Sequence, residues 1–194
     1  MKIIGITYGR EDSKSGSQVL LLKGDSALLV NRKPFFVPDE TKAPVAYPAL
    51  ALRICRLGKT VSPRYADRYY DAVAPALDIQ AADLLEEAKA QGAPWTQAVS
   101  LDGSLPLGEW NEGVKVTGYG LQVTGYGATE SRTYGTTEER IAEAVSLVSK
   151  WMTIRQGDVI YVQLTNEPIA LKQNDLLTAR MEGDETDRLF CRIK

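Results

Sequence analysis

The chain has 194 residues, of which 25 % are charged and 44 % hydrophobic. This composition is typical of one folded domain with a sizeable core, and it excludes disordered and collagen-like chains. Lysine and arginine number 23 against 25 aspartate and glutamate, a formal net charge of -2. Such a balance gives no general electrostatic reason to bind nucleic acid or an anionic membrane. We therefore expect one domain over residues 1–194, with neither nucleic acid nor a membrane as partner.

The chain contains no histidine. This absence excludes Ser-His-Asp and Cys-His nucleophile pairs and every imidazole metal site. The two cysteines, Cys55 and Cys191, lie far apart in apolar stretches, so we expect inert core thiols and no disulfide. The apolar run at the amino terminus is interrupted by charged residues too early for a signal peptide. No later segment has the 18 consecutive apolar residues that a transmembrane helix needs. These features predict a cytoplasmic protein.

Short β-type runs dominate the chain. The predicted strands cover residues 2–8, 18–22, 27–31, 50–55, 114–123, 158–164, 176–180 and 188–193, and residues 23–25 are predicted to turn. Three helices interrupt them. They are predicted at 62–71, at 79–91 with Gly92 as the C-terminal cap, and after a capping box formed by Thr136 and Glu139. Many strands with few helices predict an α+β, mostly antiparallel fold.

Two further patterns have a structural and a functional interpretation. The sequence Val-Thr-Gly-Tyr-Gly occurs at 116–120 and again at 123–127. Neither copy has the lysine and hydroxyl residues of a phosphate-binding loop, so a β-hairpin is favoured. Basic residues recur between Arg53 and Arg68, but they span a strand, a turn and a helix and include Asp67, which favours a solvated face over a polyanion site.

The middle of the chain resembles the central signature of the fumarylacetoacetate hydrolase family. The resemblance begins with Leu-Arg-Ile-Cys-Arg-Leu-Gly-Lys-Thr-Val-Ser at 52–62 and continues through Ala-Asp-Arg-Tyr-Tyr-Asp at 66–71. It extends to Leu-Asp-Ile-Gln-Ala-Ala-Asp at 77–83, to the Pro-Trp element in 92–95 and to Asp-Gly-Ser at 102–104. The resemblance implies a mixed, mostly antiparallel β-sheet roll with a few peripheral helices, usually a homodimer.

The resemblance also implies an activity on small 1,3-dicarbonyl or 2-oxo acids. Family enzymes hydrolyse, decarboxylate or isomerise such compounds with Mg²⁺, Mn²⁺ or Ca²⁺. A hard cation held by carboxylates stabilises the enolate that forms in each reaction. In the family, a Glu-x-Glu on one strand and an Asp from a neighbouring strand hold this cation.

This sequence departs from the family at the metal ligands. In an ungapped alignment anchored at Arg53, the two glutamate positions of the family correspond to Tyr47 and Ala49. A slip of one residue gives Pro48 and Leu50, which are equally unable to bind a cation. Asp78 matches the third ligand and is the only surviving metal position. A hard divalent ion binds six or more oxygen atoms, and a single carboxylate is not enough to hold it, so no metal cofactor is expected.

Other family positions are also changed. The loop after residues 5–8, which in the family leads to a catalytic His, here continues as Gly-Arg-Glu-Asp-Ser-Lys at 9–14. The family lysine after Pro-Trp falls at Val99, and the oxygen-binding turn Thr-Gly-Thr-Pro is replaced by Leu-Thr-Asn-Glu-Pro at 164–168. We therefore expect no catalytic residue and no cofactor-binding residue of the family type.

The remaining polar candidates have structural interpretations. Asp78 precedes a predicted helix and is interpreted as an N-cap as well as a ligand position. Asp102 is expected in a turn. Ser104 lacks an evident His or Lys partner, so it is interpreted as a turn hydroxyl and not a nucleophile. Tyr8 and Tyr47 either line the former pocket or fill a vacated metal cavity.

Three functions remain open. The first is a catalytically degenerate family member, a pseudoenzyme, that acts as a binding or regulatory module, with itself, an active paralogue or a small oxo-acid as partner. The second is an active hydrolase, decarboxylase or isomerase with relocated metal ligands. The third is a protein-interaction domain unrelated to small molecules. Metal titration separates the first two, and a partner screen addresses the third.

Overall fold

The computed structural model describes residues 1–8, 18–113, 118–124 and 131–194. The predicted loop at 9–14 and the turn after the second glycine repeat lie outside these residues. The helices are α1 (Ala82–Gln91), α2 (Thr96–Val99) and α3 (Glu138–Trp151), with 3-10 helices at Asp25–Ala27 and Pro63–Arg68. The strands are β1 (Ile3–Tyr8), β2 (Gln18–Lys23), β3 (Leu28–Leu29), β4 (Pro44–Ile54), β5 (Tyr70–Ala81), β6 (Leu105–Pro106), β7 (Asn111–Glu112), β8 (Gly118–Thr124), β9 (Ser131–Thr137), β10 (Val159–Gln163), β11 (Ile169–Ala170), β12 (Leu176–Met181) and β13 (Leu189–Arg192).

Two sheets form the body of the fold. The larger has the order β2-β1-β10-β4-β5-β7, and β11 also pairs with β4. Within it β1 and β10 are parallel and the other pairs are antiparallel. The smaller sheet, β13-β12-β8-β9, is antiparallel throughout, and β3 and β6 form a short parallel pair. The predicted α+β class with mostly antiparallel strands is confirmed.

The largest difference between the structure and the sequence prediction is strand β5. Residues 70–78 were not predicted as a strand, and residues 79–81 were assigned to a helix. In the structure β5 pairs with β4 along nearly its whole length, and its residues from Ala72 to Ala81 are buried. Helix α1 begins only at Ala82 and has no buried residue. Pairing with a long neighbouring strand has therefore overridden the local helical pattern. Gly92 caps α1 with a φ of 65°, as predicted.

The other two helices also differ in detail from the prediction. Residues 63–68 form a 3-10 helix with a proline at its start, shorter than the predicted segment. The N-cap of α3 is Thr137 and not Thr136, since the Thr137 hydroxyl accepts a hydrogen bond from Arg140 N at 3.2 Å. Thr136 remains in β9, opposite Tyr119 of β8. The described parts of both glycine repeats lie in this single strand, β8.

The larger sheet is buried on both faces. One face joins the main core with the smaller sheet and α3, through residues that include Leu50, Leu52, Ile160, Ile141 and Val145. The opposite face carries alanines from β4 and β5 around the ring of Tyr161, namely Ala49, Ala51, Ala74 and Ala76. No helix among the described residues is long and apolar enough to cross a membrane.

Both cysteines are free thiols. Cys191 is buried in β13, and burial raises the pKa of its thiol to about 11, against a smaller opposing effect of the Phe35 backbone. This agrees with an inert core thiol. Cys55 follows the end of β4 and is only half-buried, with Sγ 3.7 Å from Arg68 O. It is therefore not the core residue that was predicted.

Candidate functional site

The site lies where β2, at one edge of the larger sheet, approaches β5, the strand next to the other edge. Lys23 ends β2 and Asp78 lies in β5, and three strands separate these two in the sheet. In a flat sheet four strand spacings would put them about 19 Å apart. The Lys23 Nζ to Asp78 Oδ1 distance is instead 2.9 Å, and both side chains are fully buried. The sheet is therefore curled into a roll, and this ion pair joins its far strands.

Asp78 is held by side chains from three strands, β2, β5 and β10. Its Oδ2 accepts hydrogen bonds from Gln80 Nε2 at 2.7 Å and from Gln163 Nε2 at 2.6 Å. Its Oδ1 forms the ion pair with Lys23. The prediction that Asp78 caps a helix is wrong, because the strand continues for three residues beyond it and Ala81 occupies the N-cap position of α1.

The ammonium group of Lys23 is surrounded by oxygen atoms. Its Nζ donates to Ile79 O at 3.1 Å, to Ser104 Oγ at 2.9 Å and to Val99 O. Together with Asp78 Oδ1, four oxygen atoms face this group, which has three protons to donate as an ammonium and only two as a neutral amine. Burial lowers the pKa of Lys23 below its usual value, and the charge and hydrogen bonding of Asp78 act in the opposite direction. Lys23 and Asp78 therefore form a closed ion pair within the protein.

Tyr161 completes this buried layer from the neighbouring strand β10. Its phenol is fully buried, and its pKa is raised well above the usual value by burial and then by the nearby Asp78 carboxylate. In register it lies between Gly5 of β1 and Ala51 of β4. A Cβ at position 5 would overlap the phenol ring, so the glycine is needed for this close approach.

The two positions that replace the family's glutamates share a face with Asp78. Tyr47 lies directly opposite Asp78 in the β4–β5 pairing, and Ala49, two residues further along, lies opposite Ala76 and Gln163. Side chains two residues apart on a strand point to the same face. Leu50, the alternative from a one-residue slip, belongs to the main core on the opposite face. The strand register therefore favours the ungapped alignment through Tyr47 and Ala49.

The structure brings Val99 and Ser104 to the site in unpredicted roles. The side chain of Val99 is buried, and its carbonyl oxygen accepts from Lys23. Ser104 is fully buried and closes a turn, since its N–H donates to Leu101 O at 3.1 Å, but its hydroxyl accepts from Lys23, so the prediction that it lacks a lysine partner is wrong. Asp102 lies in the predicted turn, where Ser26 Oγ donates to it at 2.6 Å. The backbone of Tyr8 pairs with Gln18 in the β1–β2 ladder.

Lys23 is the site residue that the sequence prediction missed. Residues 23–25 were predicted as a turn, yet Lys23 is the last residue of β2. In the structure Leu21 and Lys23 are both buried while Leu22 between them is exposed, but the sequence Leu-Leu-Leu-Lys at 20–23 shows no such alternation. The partner is 55 residues away in the sequence, and only the curl of the sheet brings the two together.

The described residues contain no other acidic cluster at this place. In the described ranges, no group of three or more His, Cys, Asp or Glu side chains is arranged to hold a metal ion. Two surface clefts, of about 550 and 360 Å³, lie elsewhere, and neither is lined by Lys23 or Asp78. The larger cleft includes Arg32, Trp110, Arg188 and Phe190.

Comparison with known proteins gives consistent results. Residues 8–186 match the model of the fumarylacetoacetate (FAA) hydrolase C-terminal family. The chain is 31 % identical over 169 residues to the mitochondrial oxaloacetate tautomerase FAHD1 of Bos taurus, covering 85 % of this chain and 76 % of that protein. It is 27 % identical over 192 residues to the oxaloacetate tautomerase YcgM of Escherichia coli, covering 93 % and 87 %.

Solved structures share the fold. Fumarylpyruvate hydrolase from Pseudomonas aeruginosa, in complex with Mn²⁺ and pyruvate, superposes with a TM-score of 0.85 at 18 % identity, covering 99 % of this chain and 88 % of that chain. The 2-hydroxyhepta-2,4-diene-1,7-dioate isomerase from Mycobacterium marinum gives 0.82 at 23 % identity, covering 99 % and 73 %. The signature residues, the rolled sheet and the family match over most of the chain lead to one conclusion: this chain belongs to the fumarylacetoacetate hydrolase family.

Proposed function

We propose that this chain is a catalytically degenerate member of its family that acts as a binding or regulatory module. The main observation behind the proposal is that Asp78 is buried and bound by other side chains of the same protein. Both of its carboxylate oxygens are engaged within the protein, by Lys23 on one side and by Gln80 and Gln163 on the other. This carboxylate is fully buried, its ion-pair partner is a lysine of the same chain, and it lines neither of the two surface clefts.

The residues around Asp78 do not fit the divalent ion that the family uses. Mg²⁺, Mn²⁺ and Ca²⁺ require six or more oxygen ligands, usually with several negative charges among them. Here the positions of the paired glutamates carry Tyr47 and Ala49, so Asp78 supplies the only negative charge on this face of β4 and β5. The nearest charged neighbour of Asp78 is the ammonium group of Lys23, which repels a metal ion.

The names of the relatives favour the alternative, an active enzyme with relocated ligands. Several relatives are oxaloacetate tautomerases, and two structural neighbours are a hydrolase and an isomerase. Relocation would need a second group of ligands, and the described ranges contain no group of three or more His, Cys, Asp or Glu side chains arranged to hold a metal ion. Because function depends on the residues of the site and not on the fold, we base the proposal on the site residues of this chain and not on the names of its relatives.

The larger cleft supplies a place for a small carboxylate ligand, such as a 2-oxo acid. Arg32 stacks over the Phe190 ring at 4.1 Å, and its guanidinium forms a long ion pair, 3.5 Å, with the exposed Glu109. Asn31 and Arg32 both have positive φ values, 63° and 57°, a left-handed conformation that asparagine tolerates and that is unfavourable for arginine. Backbone strain of this kind concentrates at binding sites.

We also propose a homodimer in a reducing compartment such as the cytoplasm. The family resemblance supports the dimer, which is the commonest assembly of soluble oligomers. Two unpaired cysteines are compatible with reducing conditions. Sedimentation at micromolar concentration is expected to give twice the chain mass, and a monomer would contradict this part of the proposal.

Turnover assays test the loss of catalysis. Oxaloacetate tautomerisation and decarboxylation and the hydrolysis of an acylpyruvate are measured with Mg²⁺ and with Mn²⁺, for the wild type and for Asp78→Asn. We expect both proteins to give the uncatalysed reaction rate that is measured in buffer alone. Metal-dependent turnover by the wild type above the buffer rate would contradict the proposal: its loss in Asp78→Asn would place the reaction at Asp78, and its persistence would indicate relocated ligands.

A separate titration tests the cleft. Pyruvate added to ¹⁵N-labelled protein is expected to shift resonances around Arg32 and Phe190, and Arg32→Gln is expected to remove these shifts. Lys172→Gln, an exposed change away from the cleft, serves as the control. Equal shifts in Arg32→Gln and in the wild type would show that the cleft does not bind the carboxylate.

A further inference from the structure

We infer that the ε-ammonium group of Lys23 is the resident cation of the Asp78 site, in the place that the family resemblance gives to a divalent metal ion. The inference deepens the proposed function, because it states what replaced the metal. It assigns to Lys23 a role beyond a chance buried ion pair: a positive charge that the surrounding oxygen atoms are arranged to hold.

The atoms around Lys23 Nζ form an oxygen cage. Its members are Asp78 Oδ1 at 2.9 Å, Ser104 Oγ at 2.9 Å, Ile79 O at 3.1 Å and Val99 O. Carboxylate, hydroxyl and carbonyl oxygens are the ligands that hard cations prefer. All four come from parts of the chain other than β2, so Lys23→Ala removes none of the oxygen atoms.

The net charge of the cage is matched by an occupant that carries one positive charge. Asp78 is its only ionised member, and its second oxygen is already engaged by two glutamine amides. One ammonium group therefore neutralises the cage, whereas a divalent ion would leave an uncompensated buried charge. The long side chain of Lys23 supplies this charge from the other end of the sheet.

The cage also explains why four distant segments meet here. Lys23 from β2 contacts β5 through Asp78 and Ile79, the C-terminal end of α2 through Val99, and the residue before β6 through Ser104. A cation that binds several chain segments stabilises their arrangement, as a structural metal does. Lys23 has this effect without depending on the metal concentration.

Chemical rescue tests the inference. Lys23→Ala removes three carbons and the nitrogen, and n-propylammonium restores the same atoms with their charge. Thermal melts of Lys23→Ala are recorded at neutral pH with n-propylammonium chloride, with n-propanol, and with sodium chloride at equal ionic strength. Lys59→Ala, an exposed lysine, is the matched control. Where Lys23→Ala is too unstable for melts, the same additives are compared by the fraction that refolds from urea.

We expect n-propylammonium to raise the melting temperature of Lys23→Ala by about 3 °C or more, through binding to the folded state. The wild type and Lys59→Ala are expected not to respond, and n-propanol is expected to give less than half the rise. Equal effects of the amine and the alcohol, or no effect of either, would overturn the inference.

A second arm uses Mn²⁺ on the wild type. A rise in the melting temperature with Mn²⁺ that disappears in Asp78→Asn would overturn the inference, because the metal would then occupy the cage with Lys23 in place. These outcomes are separate from the turnover assays. Turnover without added metal would contradict the proposed loss of catalysis and leave the amine rescue intact, whereas failed rescue would leave the absence of turnover unaffected.

Discussion

At the scale of single residues, the main feature of the site is a pair of charges buried inside the protein. Lys23 and Asp78 are both fully buried, and each is the charged partner of the other. Removing two charges from water is costly, and breaking such a pair leaves the remaining charge without compensation. The surrounding amides, hydroxyl and carbonyls reduce this cost because they satisfy the remaining hydrogen-bonding groups.

This pairing predicts unequal effects of single and double substitutions. Asp78→Asn is expected to lower the free energy of unfolding by about 3–5 kcal/mol, because it leaves the Lys23 ammonium group buried without a carboxylate. Lys23→Met with Asp78→Leu removes both charges and is expected to cost less than the single change. Urea unfolding at neutral pH measures both. A cost for Asp78→Asn within about 1 kcal/mol of zero would contradict the prediction.

At the scale of elements, the beginning of α3 depends on one hydroxyl group. Thr137 Oγ1 accepts from Arg140 N at 3.2 Å, and two glutamates occupy the first turn. Thr137→Ala is expected to lower the free energy of unfolding by about 1 kcal/mol. Glu143→Ala, at an exposed position in the middle of the same helix, is the control and is expected to be nearly neutral. A cost for Thr137→Ala no greater than that of Glu143→Ala would show that Thr137 is not a stabilising cap.

The start of β10 predicts a pH dependence. The Asp158 carboxylate accepts from Lys2 N and Arg155 N, both at 2.8 Å, and pairs with Lys2 Nζ at 2.5 Å. Burial opposes ionisation, but these contacts outweigh it, so the pKa of Asp158 is below its usual value. The folded state therefore gains stability above the unfolded pKa of about 3.9 and loses it as the pH falls through the lower folded value.

Asp158→Asn is expected to remove this part of the pH dependence. The free energy of unfolding is measured by urea titration at intervals between pH 6 and pH 3. The difference between the wild type and Asp158→Asn is expected to be largest near pH 6 and to shrink towards pH 3, because protonation then removes the charge from the wild type as well. A difference that stays constant over this range would contradict the assignment.

At the scale of the whole molecule, the fold was more predictable from the sequence than the site. The signature around Arg53 led to the family, and alternating apolar runs gave most strands and the mostly antiparallel class. The central strand β5 was missed because its buried run resembles a helix, and its identity depends on pairing with β4. Asp78 was identified by resemblance, and the strand register places Tyr47 and Ala49 on its face.

Lys23 could not be predicted as the partner of Asp78 from local pattern. A lysine at the end of an apolar run usually marks the edge of a strand, and nothing in its neighbours indicates burial by a segment 55 residues away. The curl of the sheet decides this contact, and it is a property of all the strands between β2 and β5. Sites formed by such closure are visible only once the long-range topology is known.

The central claim, that a protein ammonium group occupies the site where the family resemblance places a divalent ion, is tested most directly by Mn²⁺ binding to the wild-type protein. Electron paramagnetic resonance reports the free Mn²⁺ as protein is added. The account predicts that the signal of free Mn²⁺ is the same for the wild type and for Asp78→Asn at every ratio. One equivalent of Mn²⁺ bound per chain by the wild type, and lost in Asp78→Asn, would contradict it.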